Sequence, residues 1–302
     1  MEQVERDAIV SLCMMAAMAD GRHDPAEQER MRVILEELGG EGVDPGVYGR
    51  VVAGETDVER EAARLSTPEL RKQAFEMAVA VCEADGSCVA AEGTFLDRLA
   101  RALGLSPEGS RAIREEADAI AAAEYVPKPT PSIDVDALVK KYAVVCAALE
   151  LLPSGLAGMA IIPMQLKLVH AVSTAHGHAL DRGHAREFLA AVGAGVGSRV
   201  VERFVRRMIG GLLGGGKKGG GRLIATAAGA GVTFASTWAI GRVAHVYYGS
   251  GRKLDAGALR AEFEREVSRG RELFSGNREE IEHRASALAH DRIIDLVRSD
   301  AL

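Results

Sequence analysis

Aromatic side chains are scarce in this chain, making up 4% of 302 residues with a single tryptophan. That shortage disfavours a β-sandwich, whose pleated faces draw on aromatic and β-branched residues. The four cysteines, Cys13, Cys82, Cys88 and Cys146, show no paired C-x-x-C spacing, so the common thiolate frameworks are absent. No export signal opens the sequence, because Glu2, Glu5, Arg6 and Asp7 interrupt the N-terminus. The expected location is cytoplasmic, or the cytoplasmic side of a membrane. No Ser/His/Asp arrangement has a supporting context, and an enzyme is not expected.

Alanine and glycine abound instead, within an apolar content of 47%. Helices packed closely through small side chains fit that balance. A chain of this length can bury one large or two medium cores, and two fit better. The expected fold is all-α with two helical domains.

A repeat organises the first half. Ala19-Asp20-Gly21, with Glu27 seven residues after the aspartate, returns as Ala84-Asp85-Gly86 with Glu92, at an offset of 65 residues. Apolar positions keep that offset: Leu12 with Met77, Ala16 with Val81, Met31 with Leu96, Ile34 with Leu99 and Leu38 with Leu103. Gly39 and Gly104 follow, each suited to the φ > 0 position that closes a helix. Each copy reads as helix, acidic loop, helix.

Asp24-Pro25-Ala26-Glu27 is a capping-box variant, with proline at the first helical position. The residue equivalent to Asp24 in the second copy is Val89, which cannot cap, yet Glu92 remains. Two readings of Asp20, Glu27, Asp85 and Glu92 follow: turn closure and helix capping, or a site for a divalent cation such as calcium or for a basic partner. Two carboxylates per loop fall short of the roughly six to eight oxygens that calcium takes. A cation would need water, backbone carbonyls or the other loop.

The segments Met18-Ala19-Asp20-Gly21 through Glu27 to Leu38, and Glu83-Ala84-Asp85-Gly86 through Glu92 to Leu103, resemble the tellurite-resistance TerB-like domain. The resemblance covers residues 1–125. It implies an all-helical domain with an acidic surface suited to cations and a stress-response role, and no defined reaction.

Charge is divided along the chain. Residues 1–130 hold 26 acids against 14 bases, and the remainder 17 against 23. The acidic half disfavours nucleic acid as a partner, and no stacking platform is visible elsewhere. The basic half can face a membrane surface or the acidic half of a second copy.

Pro127, Pro129 and Pro131 exclude helix, placing a linker at 126–133 between a first domain at 1–125 and a second at 134–275. A helix starting at Asp134 or Asp136 should run to Leu152, followed by an apolar helix carrying Met159, Ile162, Leu166, Val169 and Val172. Asn277 and Glu280, at cap and N3, predict one amphipathic helix over 277–297 within a C-terminal segment at 276–302.

In the second domain, Leu152-Pro153, the helix with Gln165 and Lys167 ending at His176-Gly177, Thr237-Trp238-Ala239-Ile240-Gly241, Tyr247-Tyr248 and Gly251 resemble the YcjF-type helical domain. That resemblance implies membrane association and a GTPase partner. The glycine-lysine run over 209–221 departs from its pattern.

Residues 223–241 hold no charge, a length that just reaches the roughly 20 residues of a membrane span, but glycine, threonine and serine weaken insertion. Residues 151–166 are also uncharged but contain Pro153, Gly155 and Pro163. The glycines at 193, 195, 197, 229 and 231 permit close helix crossing, in a bilayer or in a soluble homo-oligomer.

Other motifs fail. Residues 211–218 match G-x-x-x-x-G-K, but Lys218 stands where magnesium binding needs Ser or Thr. Gly193 to Ser198 lacks the third glycine of a dinucleotide fingerprint. His176, His178 and His184, with Asp181, match no zinc spacing and read as a polar turn. Cys88 is a thiol candidate if exposed, against simple packing. The composite expectation is a non-enzymatic TerB-like sensor or adaptor joined to a membrane-associated or oligomerising helical domain.

Overall fold

The computed structural model describes residues 2–19, 44, 46–83, 88–121, 134–152, 154–178, 182–192, 221–288 and 293–298. Among them every regular element is a helix, as an all-α fold requires. They gather into two compact units. The first holds the described residues of 2–121 with 154–159 and 221–226; the second holds 134–152, 160–192 and 227–298. The sequence-predicted linker at 126–133 lies outside the described residues.

The first unit runs through α1 (Gln3–Ala17), α2 (Val47–Val52), α3 (Val58–Ala63), α4 (Pro68–Cys82), α5 (Ala90–Ala102) and α6 (Pro107–Ala121). Helices α1 and α4 have 15 residues each and the same offset as the sequence repeat. Their matched apolar positions are buried in common: Ile9 with Ala74, Leu12 with Met77, Ala16 with Val81. Burying side chains such as Ile9, Leu12 and Phe75 contributes about 1.5–3 kcal/mol each, which outweighs any single cap or surface ion pair here.

Local chemistry sets the helix starts. Thr67 Oγ1 accepts the Leu70 N–H at 3.2 Å, and Pro68 opens α4 where its missing N–H costs nothing. Asp57 caps α3 through the Arg60 N–H at 2.8 Å, after the turn at Gly54 with φ +67°. Gly104, with φ +67°, closes α5 as the repeat predicts. Both helices of the second copy are thus present as α4 and α5; the segment between them at 84–87, and the predicted second helix of the first copy with Gly39, lie outside the described residues.

In the second unit come α7 (Val135–Glu150), α8 (Ile161–Ala175), α9 (Arg182–Ala191), α10 (Gly221–Gly249), α11 (Ala256–Gly276), α12 (Arg278–Leu288) and α13 (Ile293–Arg298). Asp134 starts α7, its Oδ1 accepting from the Asp136 and Ala137 N–H groups at 3.0 and 3.2 Å. Pro163 is the third residue of α8, where no intrahelical N–H is needed. Gly177, with φ +76°, ends that helix.

Helix α10 buries Phe234, Ala235, Ala239, Ile240, Val243 and Ala244. Its buried polar groups are tied to other elements: Gln165 Nε2 donates to Thr237 Oγ1 at 3.0 Å, Thr233 donates to Glu150, and Trp238 Nε1 donates to Glu266 Oε2 at 2.9 Å. Those links satisfy groups that would otherwise be costly to desolvate.

Of the helix predicted over 277–297, α12 and α13 are described, and residues 289–292 between them lie outside the described residues; Asn277 Nδ2 donates back to the Leu273 carbonyl at 2.7 Å, at the end of α11. Glu280 pairs with Lys140 at 2.9 Å. Helix α12 packs on α7 and buries Ile281, Ala285 and Leu288.

Candidate functional site

Helices α1 and α4 run side by side in one direction. At their N-terminal ends the Ser66 hydroxyl donates to Glu5 Oε1. Toward their C-terminal ends Cys13 lies within electrostatic reach of Cys82. The chain therefore leaves α1 after Met18 and α4 after Glu83 on the same side of the first unit. Asp20, Glu27 and Asp85, which follow those exits, lie outside the described residues.

Glu92 is described, and it has a definite structural task. Its Oε2 accepts the Val89 N–H at 2.8 Å, so the carboxylate half of a capping box operates although Val89 supplies no side-chain acceptor. Of the two readings of Glu92, helix capping thus has a bond in the structure, although the Val89 side chain cannot cap. Glu5 does the same for the Glu2 N–H at 2.8 Å at the start of α1.

Around the α4–α5 turn the groups are mostly acidic. Glu83 is buried at the end of α4, and Glu92 is half-buried. Arg114, from α6, is the neighbouring cation: its Nη2 donates to Asp97 Oδ1 at 2.7 Å, and its guanidinium lies 5.9 Å from the Phe75 ring centre. Cys88 is exposed, yet desolvation first, then the charges of Glu83 and Glu92, push its thiol up to about 11. Burial alone raises Cys13 to about 12. These thiols stay protonated at neutral pH and are poor nucleophiles.

A second cluster lies at the ends of α8 and α10. His176 Nε2 stands 2.9 Å from His245 Nδ1. His178 Nε2 is 3.2 Å from the Tyr248 carbonyl oxygen; a carbonyl only accepts, so this nitrogen carries the proton. Phe188, Tyr247 and Tyr248 stack around the pair of turns, with ring centres 5.1–5.7 Å apart. The sequence grouped His176 and His178 with His184 and Asp181. The fold instead brings His245 to His176; His184 is exposed on α9, and Asp181 lies outside the described residues. Among the described residues no three His, Cys, Asp or Glu side chains are placed to share a metal ion.

The uncharged residues 223–241 fall within α10. The stretch that is long and apolar enough to cross a membrane, by length and composition among the described residues, is Leu156–Ala175, with 72% of its most apolar window buried. The basic run at 211–218 and the glycines at 193–197 lie outside the described residues.

The matched helices α1 and α4, with their shared core and the capped starts around them, define the first unit, among the described residues, as a small all-α domain. Residues 6–115 match the family model described as Tellurite resistance protein TerB, and this part of the chain is a TerB-like domain. No curated protein and no solved structure matches the chain.

Proposed function

We propose that this chain is a non-enzymatic adaptor of the tellurite-resistance type, whose TerB-like unit binds a divalent cation such as calcium, or a basic partner, through its two acidic turns. The observation that carries this reading is the common direction of α1 and α4, which brings the chain out of both helices, after Met18 and after Glu83, on one side. Together the two acidic turns supply four carboxylates, where either alone supplies two. The second unit, with its YcjF-type resemblance, fixes location or copy number and offers a surface to a GTPase partner.

Calcium at millimolar concentration should raise the melting temperature, because a ligand bound only by the native state stabilises it by mass action. Glu92→Gln separates the two roles of that residue. Glutamine still accepts the Val89 N–H, so stability without calcium should hold, while the calcium increment should shrink. Glu92→Ala should lose about 0.5–2 kcal/mol with or without the ion. Absence of any calcium shift in the unmodified chain would end the cation reading and leave the basic partner.

A soluble homo-oligomeric scaffold is the second reading. The burial of Phe234, Ala235, Ala239 and Ile240 inside the second unit favours it over lipid embedding of α10.

A further inference from the structure

We propose that His176 and His245 form a proton-sensitive clasp that holds the C-terminal ends of α8 and α10 together at neutral pH and releases them on acidification. The inference stands on geometry. At 2.9 Å, one imidazole nitrogen must donate and the other accept, so the contact requires at least one neutral ring. A second proton removes the acceptor and places two cations in contact.

Among the described residues no acidic side chain acts on His176 to compensate that second charge. His176 is the residue at the end of α8, and His245 sits one turn before the end of α10. The carbonyl ends of both helices favour a first positive charge there. Among the described residues, the ring cluster next to the pair is His178 against Tyr248, Phe188 against Tyr248, and Arg252 at 5.7 Å from the Tyr248 ring centre. The charges acting on His176 among the described residues are those of His245 and His178, both cationic when protonated. Desolvation, then these two histidines, hold His176 below the ordinary 6.5. A histidine with a depressed folded value binds fewer protons folded than unfolded, so its contribution to stability is lost as pH falls below about 6.5.

Gly249 fits the same picture: a Cβ there would meet His176 Cε1 at 3.2 Å, so the last turn of α10 lies directly against the ring. The turn beyond carries Gly251 and Arg252 in the left-handed region, at φ +72° and +64°, with Arg252 N–H on the Tyr247 carbonyl at 2.8 Å. For a non-glycine residue such as Arg252 that is an uncommon conformation.

The test uses the full chain. Histidine titration by NMR should show His176 losing its proton below the ordinary 6.5, in a step coupled to its partner ring. Amide protection at His178, Ser250, Gly251 and Arg252, corrected for intrinsic exchange, should fall up to about tenfold per pH unit below 6.5, the limit for one linked proton. His245→Asn should return His176 to a single titration and flatten that dependence; His283→Asn should leave it unchanged. If His245→Asn folds poorly, His176→Asn gives the same comparison. A His176 titration that is the same with and without His245, or equal pH dependence of protection in the two chains, would overturn the proposal.

Discussion

At the start of α1 the Glu5 carboxylate joins two elements, with Oε2 on the Glu2 N–H and Oε1 on the Ser66 hydroxyl that precedes α4. The Ser66 hydroxyl is the main reason Glu5 lies below its ordinary value near 4.5, with burial opposing it. A depressed carboxyl adds stability above its unfolded value, and that stability is lost as pH falls through the folded value. Ser66→Ala should therefore move the Glu5 titration up toward 4.5 and raise the pH midpoint of acid unfolding. Carboxyl NMR titration measures the first, circular dichroism the second; an unmoved Glu5 would show that the hydroxyl is incidental. Residue chemistry was partly legible beforehand. Glu92 was recognisable as an N3 glutamate, but its capping bond was not, because a box without an N-cap acceptor breaks the usual pattern. His176 and His178 were visible as a cluster, whereas His245 joins them from 69 positions away, a contact no local spacing encodes.

Glycines set how closely the helices approach, and two of them give opposite predictions. A Cβ at Gly241 would lie 2.6 and 2.8 Å from the Val139 methyls and 3.0 Å from Leu168 Cδ2, so Gly241→Ala should cost about 1–3 kcal/mol by overpacking. A Cβ at Gly93 in α5 meets nothing within 4 Å, so Gly93→Ala should stabilise by roughly 0.5–1 kcal/mol through helix propensity. Urea melts of both variants check the pair; a stabilised Gly241→Ala would mean that α10 does not pack on α7 and α8 as described. Gly270, whose Cβ would meet Ala235 Cα at 2.7 Å, marks a similar crossing of α11 with α10. At this scale the sequence carried α1, α4 and α5 through the 65-residue register, and α7 through Asp134. The six-residue helices α2 and α3 went unread, although Gly54 and Asp57 mark their boundaries, because so short an element shows no apolar period. In the tail the apolar residues Ile281, Leu288 and Ile294 carried α12 and α13, whereas the hydrogen bond from the Asn277 side chain back to the Leu273 carbonyl is invisible to an apolar pattern.

For the whole molecule the open matter is what the apolar helices are for. Two stretches of comparable length behave similarly in the fold: Leu156–Ala175 is largely buried, and α10 buries nearly all its described apolar residues beyond Ala230, with Val232 at 57% and Val246 at 37% as the exposed ones. A helix that already packs its apolar residues against protein has little surface left to gain from lipid, since hydrophobic stabilisation scales with the area removed from water. The surface left over is charged, and it is divided, with 26 acids against 14 bases up to residue 130 and 23 bases against 17 acids after it. Any attachment to an anionic membrane should then run through the basic half and be screened by salt, with a Debye length falling to about 3 Å at 1 M. Cells lysed without detergent should release the chain into the soluble fraction at 1 M salt, even where low salt leaves part of it on membranes. Retention on membranes through the salt wash, with release only by detergent, would mean that α10 or Leu156–Ala175 leaves its protein core and enters the bilayer. Gly241→Ala sharpens the test: if the core packing of α10 keeps it out of lipid, loosening that packing should increase the salt-resistant fraction, whereas a purely electrostatic attachment would leave it unchanged.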